Sequence, residues 1–227
     1  MSKDILIIIP AYNEEKSIRL VIDGLREYGY EHILVIDDGS SDRTFEIAKG
    51  LSVYVTRHLL NRGAGTATAT GFEIARILDP EIVVTFDADG QHDAADVIRL
   101  IEPIKRGEAD VVIGSRMLAK RPAMPLRRMI YNKIANMTTF AFYGFSVSDT
   151  QSGLKAFNRK AFNAIEIRTA RMEFCSEIIA RIKKNSLRFK EIPVKSIYTD
   201  YSLSKGQSFS MGLETFMRLA LNKLLGG

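Results

Sequence analysis

The sequence predicts an α/β fold: a mostly parallel central sheet flanked by helices. Short β-branched or leucine-rich runs recur at residues 5–9, 33–36, 53–56, 82–86 and 111–113, continuous in the manner of strands buried on both faces. Between them, residues 15–27, 42–51, 64–78 and 94–105 carry apolar side chains at i, i+3 and i+4 spacing, which suits helices with one buried face. Strand alternating with helix builds a parallel sheet through right-handed crossovers.

Taken in order, the first run ends in Pro10-Ala11-Tyr12-Asn13-Glu14-Glu15 and the second in Asp37-Asp38-Gly39-Ser40-Ser41-Asp42. The third leads to Asn61-Arg62-Gly63-Ala64-Gly65, a glycine-rich helix opening that could offer backbone N–H groups to phosphate. The fourth ends in Asp87-Ala88-Asp89-Gly90-Gln91-His92. Ligands of open α/β sheets sit beyond the carboxyl ends of the strands, so three acid-bearing loops converge where a ligand is expected. After Arg116 the chain turns basic and rich in Met and Phe through residue 145. A turn-like Ser148-Asp149-Thr150-Gln151-Ser152-Gly153 follows, then helical patterns at 173–184 and 210–225 around a strand-like 189–197.

Composition bounds the possibilities. The chain has 227 residues, 46% hydrophobic and 26% charged, enough for one domain with a sizeable core and unlike disordered or fibrous chains. Its net charge of +5 suits phosphate-bearing partners or an anionic membrane surface, although nucleic acid would give the same balance. Cys175 is the one cysteine, which excludes an internal disulfide framework, favours a reducing compartment and is expected to be a buried structural thiol. No stretch reaches the ~18–20 uninterrupted apolar residues that a span requires.

Asp87 and Asp89 stand two residues apart at a strand end, where both carboxylates can turn toward one hard divalent cation such as Mg²⁺ or Mn²⁺, with substrate phosphate completing the shell. A bare D-x-D is weak; after so apolar a run it gains weight. Downstream, Lys120, Arg121, Arg127, Arg128 and Lys133 follow Arg116, while the only acids between Gly114 and Arg171 are Asp149 and Glu166. Such a side suits an acceptor that needs cations rather than a base. A phosphate monoester, with a second pKa of about 6, is mostly dianionic near neutrality, whereas a sugar hydroxyl needs a carboxylate to take its proton. Glu173 and Glu177 are the candidate bases in the second case.

These motifs, with Gly114-Ser115-Arg116 and Gln151-Ser152-Gly153, occur in the order seen in family 2 inverting glycosyltransferases, and over about residues 4–200 the chain most resembles the dolichyl-phosphate mannose synthase, or polyprenyl-phosphate glycosyltransferase, branch. The resemblance implies a GT-A (Rossmann-like) fold in a single domain over 1–227, with a nucleotide-sugar and metal half at 1–116 and an acceptor half at 117–227. It implies that Pro10, Tyr12 and Glu14 line the base and ribose pocket, that Asp38 accepts from the base imide, and that Gly63 and Ala88 belong to the nucleotide-sugar site. Asp87 and Asp89 would bind the diphosphate through Mg²⁺ or Mn²⁺, with Gln91 completing the shell. Arg116, Arg128 and Asn132 would hold the acceptor phosphate; Asp89, Arg116 and Arg128 form the catalytic set. Two departures are visible: Ala64 stands where the family often has a lysine, leaving Arg62 as the nearby cation, and Asn132 where a serine is usual. Residues 198–208 sit where the family has a mobile lid with an arginine, and Lys205 is the nearest substitute.

The expected reaction is inverting transfer of a sugar from a GDP- or UDP-linked donor to a polyprenyl or dolichyl phosphate. The alternative is transfer from such a donor to a sugar or small-molecule hydroxyl. A nucleotidyltransferase is disfavoured because residues 9–15 lack the glycine and cation of a triphosphate loop. A binding module without catalysis is disfavoured by retention of both D-x-D acids. The expected partners are the donor, the lipid phosphate and the cytoplasmic face of a membrane, with no nucleic acid; a membrane-protein partner or a homodimer is a further option. Peripheral adsorption is expected through residues 131–145, whose Ile134, Met137, Thr138, Ala141, Phe142 and Phe145 form one stripe, and through 210–225.

Overall fold

A computed structural model describes residues 4–119 and 126–198. Lys120, Arg121, Lys205 and the expected helix at 210–225 therefore lie outside the described residues, as do the side chains of Arg127 and Phe142.

The expected runs become β1 (Ile5–Ala11), β2 (Ile33–Asp37), β3 (Tyr54–Arg57), β4 (Ile82–Thr85) and β5 (Val111–Ser115). They alternate with α1 (Ile18–Glu27), α2 (Thr44–Gly50), α3 (Ala64–Leu78) and α4 (Asp96–Lys105). Beyond β5 come α5 (Leu126–Tyr143), β6 (Lys155–Asn158), α6 (Arg159–Ala164), α7 (Phe174–Lys184) and β7 (Phe189–Pro193). The seven strands form one sheet in the order β3-β2-β1-β4-β6-β5-β7. All neighbours are parallel except β6, which runs antiparallel to both β4 and β5.

Side-chain alternation along each strand divides the apolar residues between the two faces. Ile7 and Ile9 of β1 join Val35, Val84, Ile22, Leu25 and Leu100 under α1 and α4. Leu6 and Ile8 join Leu34, Val83, Phe72, Phe157 and Ile178 under α3 and α7. Phe72 and Phe157 meet edge to face at 5.2 Å, a geometry that adds to area burial.

The sequence reading did not anticipate β6 or α6. β6 is four residues long and includes a fully buried lysine, Lys155, so neither its length nor its pattern marks a strand. Its placement matters: by entering the sheet antiparallel between β4 and β5, it carries the preceding turn, 149–153, to the end of β4.

Cys175 lies in α7, 1% exposed, and burial pushes its thiol up to about 11. Burial penalises the thiolate, so at pH 8 only about one thiol in a thousand would be ionised even with access. Native protein at pH 8 is therefore expected not to react with a disulfide reagent such as DTNB, whereas guanidinium should release one reactive thiol per chain. Prompt labelling of the native fold would contradict this placement.

Candidate active site

The loops after β1 and β2 are laced together. Asn13 N donates to Ser40 Oγ at 2.9 Å, Ser41 N to Asn13 Oδ1 at 2.8 Å, and Glu14 N to Thr44 Oγ1 at 2.7 Å. Glu14 is buried and accepts from Ser17 Oγ at 2.8 Å. Pro10 is the penultimate residue of β1, and Tyr12, just past its end, is exposed. Asp37, fully buried, pairs with Arg57 at 3.0 Å.

Asp38 is buried too, and its oxygens are engaged within the protein. Oδ1 accepts from Arg62 N at 3.0 Å and faces His58 Nδ1 at 2.7 Å, while Oδ2 accepts from Gly63 N at 2.7 Å. Asp38 thus ties the β2 end to the opening of α3. Gly63 has φ of 98° and a Cβ there would collide with the carbonyl of Ala170, so both conformation and contact demand glycine. The same carbonyl accepts from Thr66 N at 3.2 Å. Part of the N–H set at this helix opening is thereby committed inside the protein.

At the end of β4, Asp89 Oδ1 accepts from Gln91 N at 3.0 Å, an Asx turn, and Asp89 Oδ2 accepts from the Gln91 side-chain amide. Asp87 Oδ2 meets His92 Nε2 at 2.9 Å. Since a carboxylate only accepts, Nε2 carries that proton. His92 is held in turn edge to face on Phe86 at 5.5 Å. Asp87 keeps 41% of its side-chain surface accessible. A Cβ on Gly153 would collide with both of its oxygens, so Gly153 is the seat of the Asp87 carboxylate. Ala88, between the acids, is buried.

The two carboxyl groups are electrostatically unlike. Desolvation opposes the charge on Asp87, but the hydrogen bond from His92 and the charges of His92, Arg116 and Lys155 hold it below the ordinary carboxylate range. Asp89 is pushed above that range, first by burial and then by the charge of Asp87. Two close carboxylates under such repulsion fit a divalent cation, which would relieve it. Among the described residues, no three His, Cys, Asp or Glu side chains gather into a complete cage, so further ligands would have to come from other oxygens, such as an amide or substrate phosphates.

The basic side is built from β5 and α5. Arg116 donates to Asp149 from its backbone N (2.9 Å), Nε (2.7 Å) and Nη2 (2.8 Å), and Asn132 Nδ2 adds a bond to Asp149 at 2.8 Å. Burial opposes both charges of this pair, yet each holds the other ionised: Asp149 is lowered and Arg116 raised. Arg116 therefore stands in a carboxylate socket at the edge of the site, and Asn132 braces that socket. Arg128 Nη1 donates to Gln91 Oε1 at 3.0 Å and its guanidinium lies 5.4 Å from the Tyr198 ring centre. Asp89, Gln91 and Arg128 are thus joined through one amide.

Of the candidate bases, Glu177 is occupied. Its Oε2 accepts from Arg168 N and Thr169 N, both at 2.9 Å, and from Thr169 Oγ1 at 2.8 Å, while Oε1 pairs with Arg181 at 3.2 Å. Glu173 is buried at the N-terminus of α7. Sequence reasoning missed Asp149 and Lys155. The first could have been found as one of only two acids in a long basic stretch; the second carries no local signal.

α5 is amphipathic with its polar stripe turned inward. Besides Arg128 and Asn132, Asn136 bonds Ser148 O at 2.6 Å and Thr150 N at 3.0 Å, and Thr139 Oγ1 meets Ser176 Oγ at 2.8 Å. The opposite face exposes Leu126, Ile130, Ile134 (48%), Met137 (71%) and Phe140. This differs from the stripe expected from periodicity, because Thr138 is buried and Phe145 packs on Phe189 at 4.8 Å. The inward hydrogen bonds set the rotation of the helix. Among the described residues, no helix is long and apolar enough to cross a membrane.

Comparison with known proteins agrees with this architecture. The family described as Glycosyl transferase family 2 matches residues 6–166. An uncharacterised protein of Methanocaldococcus jannaschii is 43% identical over 225 residues, covering 97% of this chain and 93% of that protein. The UDP-N-acetylglucosamine–dolichyl-phosphate N-acetylglucosaminyltransferase of Methanococcus voltae is 39% identical over 245 residues, covering 98% of this chain and 97% of that protein. Glucosyl-3-phosphoglycerate synthase of Mycobacterium tuberculosis, solved with phosphoglyceric acid, superposes with a TM-score of 0.75 at 19% identity, over 97% of this chain and 78% of that one, and shows that the fold is GT-A. By the family match and the similarity of its relatives, the chain belongs to glycosyl transferase family 2.

Proposed function

We propose that the protein transfers a sugar from a UDP-linked donor, N-acetylglucosamine in the first instance, to a dolichyl or other polyprenyl phosphate, with inversion at the sugar C1. The observation that carries this reading is the orientation of α5: one face sends Arg128 to Gln91 and Asp89 while the opposite face exposes a run of apolar side chains. An acceptor with a phosphate head and a hydrocarbon tail needs both. The name of the Methanococcus voltae relative, which covers nearly the whole chain, supports the donor and the acceptor class.

In this reading Asp87, Asp89 and the Gln91 amide would hold Mg²⁺ or Mn²⁺, which would supply positive charge for the departing nucleoside diphosphate. Pro10, Tyr12, Glu14 and Asp38 bound the nucleotide pocket, with Ala88 and Gly63 in its wall. Arg128, with Arg116 in its Asp149 socket, orients the acceptor phosphate in line with C1. The phosphate arrives ionised, so no general base is assigned, and Glu177 is already spent on Arg168, Thr169 and Arg181. Lys205 is proposed as the lid cation.

Asp89→Asn is expected to lower turnover by about 100- to 1,000-fold, the scale of losing one charge-stabilising group, with the circular dichroism spectrum unchanged. A chelator should abolish wild-type activity and added Mn²⁺ restore it. The assay pairs a panel of UDP- and GDP-sugars with a polyprenyl phosphate, and the labelled product should partition into organic solvent. A water-soluble product would instead establish a hydroxyl acceptor.

The same orientation supports adsorption to a membrane surface, in which α5 would lie in the interface. Lys133 is exposed beside the apolar stripe. Of the acids between Gly114 and Arg171, Asp149 is buried and Glu166 is paired with Arg168 at 2.8 Å, leaving little to repel anionic lipid. Wild-type protein should float with anionic liposomes at low salt, less at high salt, and an Ile134→Glu, Met137→Glu variant should remain in the soluble fraction. Folded wild type that stays unbound at low salt would mean that a partner delivers the lipid.

A further inference from the structure

Lys155 is 1% exposed, one of the largest fully buried side chains of the protein. A lysine ammonium inside a core is costly, and an aliphatic residue of similar volume would fill the same space more cheaply. Its environment explains why it is there. Lys155 stands directly opposite Thr85 in the antiparallel β4–β6 pair, and the two side chains grip consecutive carbonyls of one turn. Lys155 Nζ donates to Ser152 O and Thr85 Oγ1 donates to Gly153 O, the latter at 2.7 Å. That turn is where Gly153, by lacking a Cβ, seats the Asp87 carboxylate.

We propose that Lys155 is a positioning residue: it fixes the Ser152–Gly153 turn on which the Asp87 carboxylate is seated, and so holds that carboxylate ready for the cation and diphosphate. Lys155 touches neither substrate; it acts through Asp87. Partners behind a ligating carboxylate are worth a large share of metal affinity because they orient the ligand before the metal arrives. This inference rests on the reading of Asp87 as a metal and diphosphate ligand given above.

The test is a Mn²⁺ titration in the presence of UDP, followed by the electron paramagnetic resonance signal of free Mn²⁺, with no sugar or acceptor present. Lys155→Met is expected to weaken Mn²⁺ binding by about 10- to 100-fold while circular dichroism and thermal melting report a folded protein. Lys155→Arg, which keeps the charge and the donor, should recover most of that loss. In turnover assays Lys155→Met should lower kcat without raising the KM for the lipid phosphate. Should Lys155→Met fail to fold, Thr85→Val removes the other grip on the turn at nearly constant shape and is expected to weaken Mn²⁺ binding in the same direction. Wild-type Mn²⁺ affinity in folded Lys155→Met, or in Thr85→Val where that variant stands in, overturns the proposal while leaving the enzyme reading intact. Wild-type protein that binds no Mn²⁺ with UDP overturns both.

Discussion

The constraint on which the rest of the site depends is the holding of two carboxylates, Asp87 and Asp89, side by side at the end of one buried strand. Like charges in a partly desolvated cleft repel, and the fold answers with different partners for each. Asp87 receives His92 at 2.9 Å, the glycine seat of Gly153 and the charges of Arg116 and Lys155. Asp89 receives, among the described residues, amide donors from Gln91. One acid is therefore held ionised within the protein, while the other remains under a strain that an arriving cation would relieve. The antiparallel insertion of β6 makes this possible, because no parallel crossover at that position would bring the 149–153 turn back over the end of β4.

Much of the first half was legible from residues alone. β1, β2, β4 and β5 are runs so apolar that only burial on both faces suits them, and α3 begins and ends where its pattern does, at Ala64 and Leu78. The acid loops were legible because Asp, Asn and Gly at strand ends form turns and present oxygens. What escaped was anything decided by contacts distant in sequence. Lys155 at a strand position reads as an exposed residue until its neighbours are known. Asp149 reads as a turn former, and its bonds to Arg116 span 33 residues. Asp38 reads as a ligand-facing acid, and what escaped there is its second set of partners, Arg62 N, Gly63 N and His58, which no local pattern ties to it.

The rotation of α5 shows the same limit in another form. Periodicity locates an amphipathic helix but does not say which stripe turns inward, because the usual assumption is that apolar residues do. Here the inward stripe is Arg128, Asn132, Asn136 and Thr139, each bonded to the body of the protein. A run of hydrogen bonds to Gln91, Asp149, Ser148 and Ser176 outweighs the burial of Ile130, Ile134 and Met137, which stay exposed. Buried polar groups left unpaired would cost more than exposed methyl groups, so the helix turns its polar side to the polar turn.

That choice links the two halves of the site. Gln91 gives its amide N–H to Asp89 and its carbonyl oxygen to Arg128, so a single planar group joins the acidic loop after β4 to the basic face of α5. An amide cannot rotate to serve a new partner on one side without withdrawing from the old one on the other, because its donor and acceptor are fixed in one plane. Gln91 could therefore turn toward a new partner only by giving up one of these two bonds. The acidic and basic sides are thus joined across one side chain, while Asp87 and Arg116 are each held by separate partners, His92 and Gly153 for the first and Asp149 for the second.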